Sequence, residues 1–435
     1  MNTKYLIIGN SAGGVGAAEA IRQIDHRGTL TIVSDEPYPA YSRPCISHFL
    51  AGECSLEGML FRPADFYEKN GITALLGQKG VHLDLVGRKA KLANGQEIAW
   101  ESLLLATGGT PIFPAIKGSD KQGVFTFTTL DDAKKIREFL KDVCQAVVIG
   151  GGLIGVSVAE ALTKCGLKVV IVEMKERVLN TILDERGSSL VAERLGQAGL
   201  RIVTGHTVAE IWGARHGLVK GVTLDSGEDI PCGLVVMAIG VTPRLELVKD
   251  SQIKLNRGIV VDRHMATSIS GVYACGDVAE AYDLVYGANR LTPIWPNAYL
   301  GGRVAGCNMA GVEANYTGGT AMNALNYFGL AMVSAGLVSP QNGDCEVLSR
   351  QYGQSYRKLV LKEGRLAGMV FVGDIEPSGI FFDLLKEGVG VADFKQSLLE
   401  PDFGLACLPS TLWQKKLGVR SKESSAAEPE IVRSR

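Results

Sequence analysis

The chain carries one uncommon arrangement twice: a short apolar run, a glycine cluster, then small residues at helical spacing. The first copy is KYLIIGNSAGGVGAAEAI from Lys4, and the second is QAVVIGGGLIGVSVAEAL from Gln145. In the second, Gly150, Gly152 and Gly155 hold the G-x-G-x-x-G positions around Leu153 and Ile154. In the first, Gly9 and Gly14 hold the outer positions and Ser11 replaces the middle glycine. The first position permits a tight turn. The middle one must be small so that backbone can approach a pyrophosphate, and the third lets the helix pack close to its strand. The helix start then presents unpaired N–H groups to an anion.

Each copy is followed by a strand-like run that ends in acid. LTIVSDE ends at Asp35 and Glu36, and KVVIVE ends at Glu173. A carboxylate there can accept hydrogen bonds from ribose hydroxyls. The expected fold class is therefore α/β, with two Rossmann-like dinucleotide-binding domains. Two such domains suggest two different dinucleotides. FAD and NADH are the natural pair, because a flavin accepts a hydride and later releases single electrons. Glu173 favours a free 2′-hydroxyl and repels a 2′-phosphate, so NADH (and NAD+) is expected over NADPH, with Lys175 and Arg177 close enough to soften the preference.

Composition narrows the partners. The chain has 435 residues, 46% of them hydrophobic, and a net charge of −1. Length allows two or three domains. The charge gives no reason to expect nucleic acid or a membrane as partner. No apolar run is long enough to span a bilayer, and the first ten residues lack a signal-peptide layout, so a cytoplasmic location is expected. Nine cysteines are scattered without a C-x-x-C spacing. They read as reduced, mostly buried thiols, and no metal site is expected within the chain.

Three further motifs define the class. SGVYACGDVAE (270–280) is a strand that runs into Gly276–Asp277 and a small-residue helix start. LLLATGGTP (103–111), with Thr107 and Gly108, and VVMAIGVTP (235–243), with Gly240, are strands that end in small-residue turns. Together they resemble the pyridine nucleotide-disulfide oxidoreductase superfamily, over roughly residues 4–330 and more weakly to about 415. The resemblance implies that Asp277 holds the ribityl chain of FAD, and that chain crosses between the nucleotide domains at the two strand ends. YSRPCISHFLAG (41–52) and IWPNAYLGGRVAGCNMAG (294–311), which includes Ala298, resemble the NADH:rubredoxin reductase and nitrite reductase FAD-domain branch. They are also similar to FAD subunits attached to iron–sulfur oxidoreductases. That branch implies Arg43 at the FAD pyrophosphate and Pro44 against the flavin. A planar cation beside a diphosphate is sound chemistry. It also implies an iron–sulfur protein or subunit, ferredoxin- or rubredoxin-like, as electron partner, with the chain a homo-oligomer or a subunit of a larger complex.

Cys45 and His48 are the candidate catalytic side chains. The disulfide reductases of the superfamily carry C-x4-C here, but this chain has Leu50 at the second position. Single-cysteine relatives align their thiol with Pro44. No histidine follows His264, so thiol chemistry lacks its acid–base partner. His48 stands where related reductases place a lysine paired with a glutamate; Ser157 occupies the glutamate position. The preferred expectation is an enzyme that takes hydride from NADH and passes single electrons to an iron–sulfur partner, reversibly in a larger complex. The alternatives are an NADH oxidase, peroxidase or CoA-disulfide reductase using Cys45, and a regulatory flavoprotein that responds to NADH.

The expected domains are an FAD domain at 1–113 and 245–320, an inserted NADH domain at 114–244, and a small α+β domain at 321–415 with a helix near 378–399. A polar, disordered tail is expected at 416–435.

Overall fold

The computed structural model describes residues 1–213, 217–341, 343–410 and 412. The expected tail at 416–435 lies outside the described residues. The chain divides into two compact units, Met1–Leu330 and the residues from Ala331 on.

The first unit holds two sheets built on parallel strands. In the first sheet, β1 (Asn2–Ile8), β2 (Leu30–Ser34), β3 (Ile72–Leu76), β4 (Gly80–Asp84), β5 (Lys89–Leu92) and β6 (Glu97–Leu105) lie in the order β3-β2-β1-β6-β5-β4, with β5 and β4 as an antiparallel edge. β1 pairs in parallel with β2 and with β6, which sets Ile7 beside Ile32 and Leu104. Helices cover both faces of such a sheet, so its strands read as continuous apolar runs: Leu6, Ile7, Ile32, Leu103 and Leu104 are fully buried. A later strand, Val272–Ala274, returns to this sheet and pairs in parallel with β6 from Val272↔Leu103 on. The sheet is thus assembled from two stretches of chain.

Between those stretches lies the second sheet. It consists of β7 (Val124–Thr126), β8 (Gln145–Ile149), β9 (Lys168–Glu173), β10 (Arg201–Thr204) and β11 (Leu234–Met237), in the order β10-β9-β8-β11-β7. An antiparallel three-stranded sheet, Val208–Gly213, Val219–Leu224 and Asp229–Pro231, precedes β11. The two chain crossings between the sheets pair with each other. Gly109–Pro111 runs antiparallel to Val241–Pro243, the Thr107 hydroxyl donates to the Arg244 carbonyl at 3.1 Å, and the Arg244 N–H donates to the Gly108 carbonyl at 2.9 Å.

Helix α1 (Ala12–Ile24) follows β1, α2 (Ile46–Leu50) follows a short turn at Arg43–Cys45, and α3 (Leu130–Phe139) precedes β8. α4 (Leu153–Lys164) joins β8 to β9, and α5 (Trp295–Met309) closes the nucleotide-binding part. α1 and α5 touch backbone to backbone. A Cβ on Gly302 would lie 2.0 Å from the Gly13 carbonyl oxygen, and one on Gly306 would lie 2.4 Å from that of Ala17. Each interior helical glycine costs about 0.5–1 kcal/mol of helix propensity. The cost is offset here by an approach that no side chain would allow, and it brings the start of α5 to the first glycine loop.

The second unit contains an antiparallel sheet with Leu330–Gly336, Arg365–Val372, Ser355–Lys362 and Cys345–Tyr352 as neighbours in that order, followed by the helix Ser378–Lys386. The expected helix to 399 stops short. Gly388 takes φ +60°, and two short 3-10 turns, Ala392–Phe394 and Ser397–Leu399, follow. Arg357 is fully buried and explains how those turns are held. Its guanidinium donates to the Leu398 carbonyl at 3.0 Å and the Glu400 carbonyl at 2.8 Å, and lies 5.0 Å from the Phe371 ring centre.

Candidate functional site

Both glycine loops open on one continuous cavity of about 1130 Å³ within the first unit. Gly9 lets the first loop turn. It takes φ +127°, and a Cβ there would sit 2.0 Å from the Ala106 carbonyl oxygen. Gly14 and Gly155 do not line the cavity. A Cβ on either would lie 1.9 Å from the carbonyl oxygen of Gly9 or Gly150, so their work is helix–strand packing. Gly9, Ser11, Gly150, Gly152, Leu153 and Ile154 do line it. Ser11 and Gly152 are the N-cap residues of α1 and α4, and neither helix start receives a side-chain cap bond. Their first N–H groups therefore remain available to an anion.

Two acids, Glu36 and Glu173, stand just after β2 and at the end of β9. Glu173 is buried and, among the described residues, held by main chain alone. It accepts from the Gly151 N–H at 2.6 Å and the Lys175 N–H at 2.7 Å. Glu36 is held by side chains: the Tyr41 hydroxyl donates to it at 2.5 Å, and Arg43 pairs with its other oxygen. Arg43 also donates to the Thr128 carbonyl at 3.0 Å. Asp35 receives Arg244 at 2.8 Å. Asp35, Glu36, Arg43 and Glu173 all line the cavity.

Pro44, Thr107, Gly108, Gly240, Gly276, Asp277 and Ala298 also line the cavity. Asp277 is the middle residue of a 3-10 turn at Gly276–Val278. Burial pushes its carboxyl above the ordinary value, and the Arg43 guanidinium opposes that shift. Cys275 also touches the cavity, wedged against Gly13, and burial pushes its thiol up to about 12. It is a protonated filler at neutral pH.

The two catalytic candidates are not brought to the cavity. Pro44 forms the wall, whereas Cys45 is one residue on and its thiol donates to the Ser42 hydroxyl at 3.3 Å. His48 lies on the outer face of α2, more than half exposed, with Nδ1 2.6 Å from Glu53. Glu53 also takes Lys164 of α4 at 2.8 Å. Ser157, at the position matched to a glutamate in relatives, instead shares a 3.1 Å hydrogen bond with the Tyr327 hydroxyl. His48 and Ser157 thus turn to different partners and do not form the matched pair. Among the described residues, no histidine lines the cavity.

Sequence reasoning missed Tyr41, Arg244 and Trp295. Tyr41 and Arg244 stand inside or beside quoted motifs. Trp295 opens α5, lines the cavity, and is locked edge-to-face on Phe61 at 5.1 Å. Its signal was the proline-flanked start of a small-residue helix.

The residues fit a flavin dinucleotide in the first cradle and a nicotinamide dinucleotide in the second. Each cradle has a loop that a Cβ would fill, an uncapped helix start for a pyrophosphate, and a fixed carboxylate for a ribose. One cavity joins them. This is the layout of an FAD-dependent NAD(P)H oxidoreductase. Residues 3–297 match the pyridine nucleotide-disulphide oxidoreductase family, and the chain belongs to it. Residues 322–389 match the rubredoxin NAD+ reductase C-terminal domain. The chain is 32% identical over 391 residues to the epsilon subunit of NADH-dependent phenylglyoxylate dehydrogenase from Aromatoleum evansii, covering 88% of this chain and 91% of that one. It is 30% identical over 374 residues to the NADH-rubredoxin oxidoreductase of Clostridium acetobutylicum, covering 86% and 92%. Among solved structures, a ferredoxin reductase from Rhodopseudomonas palustris superposes with a TM-score of 0.81 at 27% identity, covering 91% of this chain and all of that one. Among the described residues, no helix is long and apolar enough to cross a membrane.

Proposed function

We propose that this chain takes hydride from NADH onto FAD and passes electrons singly to an iron–sulfur protein or subunit of the ferredoxin or rubredoxin kind. One observation carries the reading: the two cradles open on a single cavity, and among the described residues the thiol that lines it, Cys275, is held protonated by burial. When bound, FAD supplies the conversion between two-electron and one-electron transfer. The chain's own part is binding and positioning. The starts of α1 and α4 and the guanidinium of Arg43 hold the two pyrophosphates. Glu36 and Glu173 hold the riboses, and Glu173 selects NADH by repelling a 2′-phosphate. Pro44, Trp295 and Ala298 confine the reacting rings and exclude water. A relative named as an NADH-rubredoxin oxidoreductase supports a rubredoxin-like partner, and one named as a dehydrogenase subunit supports the chain as a subunit of a larger assembly. In such an assembly the flow can reverse and reduce NAD+.

An anaerobic NADH titration of the purified flavoprotein tests this. Full bleaching of the flavin at one NADH per flavin, without a long-wavelength band at the two-electron stage, is the expected result. A requirement for a second NADH, with a thiolate-to-flavin charge-transfer band after the first, would place a cysteine in the redox cycle and overturn the reading.

A further inference from the structure

Tyr41 occupies a junction that no part of the proposed chemistry uses. Its ring is buried at 5% exposure, and its hydroxyl meets two groups. The Leu130 N–H donates to it at 3.0 Å, and it stands 2.5 Å from a Glu36 oxygen. The polarity of this chain is fixed by chemistry. A main-chain N–H can only donate, so the phenol oxygen accepts from Leu130 and its proton must point at Glu36. Burial raises the phenol above its ordinary value, so the proton stays on oxygen through the neutral range.

Leu130 is the first residue of α3, and its N–H is one of the donors that a helix start leaves without an internal partner. Thr129 and Asp132 form a capping box that serves each other's main-chain N–H groups, and Tyr41 serves Leu130. A hydroxyl that accepts from such an N–H becomes a better donor to a carboxylate. Glu36 therefore receives a directed, charge-assisted hydrogen bond on one oxygen, and lone pairs remain on both oxygens for the cavity side.

We propose that Tyr41 is the positioning residue for Glu36: its hydroxyl, held by the start of α3, fixes the carboxylate in the orientation that accepts the adenosine ribose hydroxyls of FAD. This rests on the assignment of Glu36 to that ribose. Arg43 pairs with the other Glu36 oxygen, but its guanidinium is also the cation assigned to the pyrophosphate, so the neutral Tyr41 hydroxyl is the partner of Glu36 that can be removed without removing a charge. FMN lacks the adenosine ribose, which makes it the natural control ligand.

Tyr41→Phe removes one oxygen and keeps the ring. FAD and FMN dissociation constants are measured by flavin fluorescence on flavin-stripped protein, and FAD retention on the holoprotein by ultrafiltration. Loss of a hydrogen bond to a charged group weakens FAD by about tenfold or more, while FMN changes by less than about twofold. In a Glu36→Ala background, Tyr41→Phe has no further effect on FAD, because the carboxylate it orients is gone. Unchanged FAD affinity in Tyr41→Phe overturns the proposal, and so does equal weakening of FAD and FMN, which is the mark of a merely structural role. If Glu36→Ala itself leaves FAD affinity unchanged, the assignment of Glu36 to the ribose fails instead. Should Tyr41→Phe not fold, the same test is applied from the other side, with Leu130→Ala as the reference for loss of the fully buried leucine side chain, by Leu130→Pro, which removes the N–H at a helix position that accepts proline. It is expected to weaken FAD and spare FMN, and equal or absent effects overturn the proposal.

Discussion

The two dinucleotide cradles solve one problem with different materials. In the second, Glu173 is held by the main-chain N–H groups of Gly151 and Lys175, both part of the same strand–turn–helix unit. In the first, Glu36 is held by the side chains of Tyr41 and Arg43, and these are anchored in turn at Leu130 and Thr128, more than eighty residues away. The second cradle is self-contained. The first is completed by the start of a helix that belongs to the other sheet. A ligand that must come and go suits a site built from its own backbone. A ligand that must stay suits a site stitched into a neighbouring element, because its release then requires several tertiary bonds to loosen together.

The largest effect expected from this contrast comes from a pair of glycines. In Gly9→Ala the new Cβ meets the Ala106 carbonyl oxygen at 2.0 Å and the residue is forced to φ +127°. Destabilisation of about 3 kcal/mol and loss of bound flavin follow, read by thermal unfolding and by the absorbance ratio of the purified protein. In Gly152→Ala the Cβ meets no protein atom within 4 Å. Stability then stays within about 0.5 kcal/mol of the parent and flavin content is unchanged, but the KM for NADH rises by about tenfold or more, because the proposed function puts the pyrophosphate where the added methyl group would stand. Equal unfolding temperatures for the two variants would break the comparison.

A smaller effect sharpens it. Glu173→Ala deprives two main-chain N–H groups of their acceptor and removes the charge that opposes a 2′-phosphate. The KM for NADH is expected to rise by about tenfold while the NADPH reaction improves relative to it, with flavin content unaffected. Initial rates with each nucleotide decide the matter. A loss of flavin in this variant would show that the second cradle is not self-contained.

The same contrast explains how much could be read from the chain. The second fingerprint was unblemished because everything its acid needs is main chain near in sequence. The first showed Ser11 in place of glycine and a pair of acids, Asp35 and Glu36, without indicating what holds either one. The order of motifs fixed the architecture, since strands that end in glycine turns encode their own geometry. The placement of Tyr41 on Leu130 and of Arg244 on Asp35 depends on contacts far apart in sequence, which periodicity and spacing do not carry. The interruption of the expected 378–399 helix escaped for a related reason. Gly388 was visible, but the buried Arg357 that gathers the carbonyls of Leu398 and Glu400 was not.

Cys45 gives the smallest expected effect and the finest test. It follows Pro44, which forms the cavity wall, and its thiol turns to the Ser42 hydroxyl at 3.3 Å. A single-residue step along this turn redirects the side chain, so position in the motif does not by itself confer chemistry. Cys45→Ala removes a half-buried sulfur and one weak hydrogen bond. The unfolding free energy is expected to fall by about 1 kcal/mol or less. The NADH required to bleach one flavin, the spectrum at the two-electron stage and the rate of flavin reduction should all match the parent. Stopped-flow absorbance under anaerobic conditions reads all three. If the variant needs fewer reducing equivalents than the parent, Cys45 exchanges electrons with the flavin, and the two cradles then serve a thiol centre instead of an outside acceptor. If it does not, the segment from Tyr41 to Leu50 carries no redox chemistry of its own. Its parts are then a hydroxyl that orients an acid, a guanidinium for a pyrophosphate and a proline for the flavin wall.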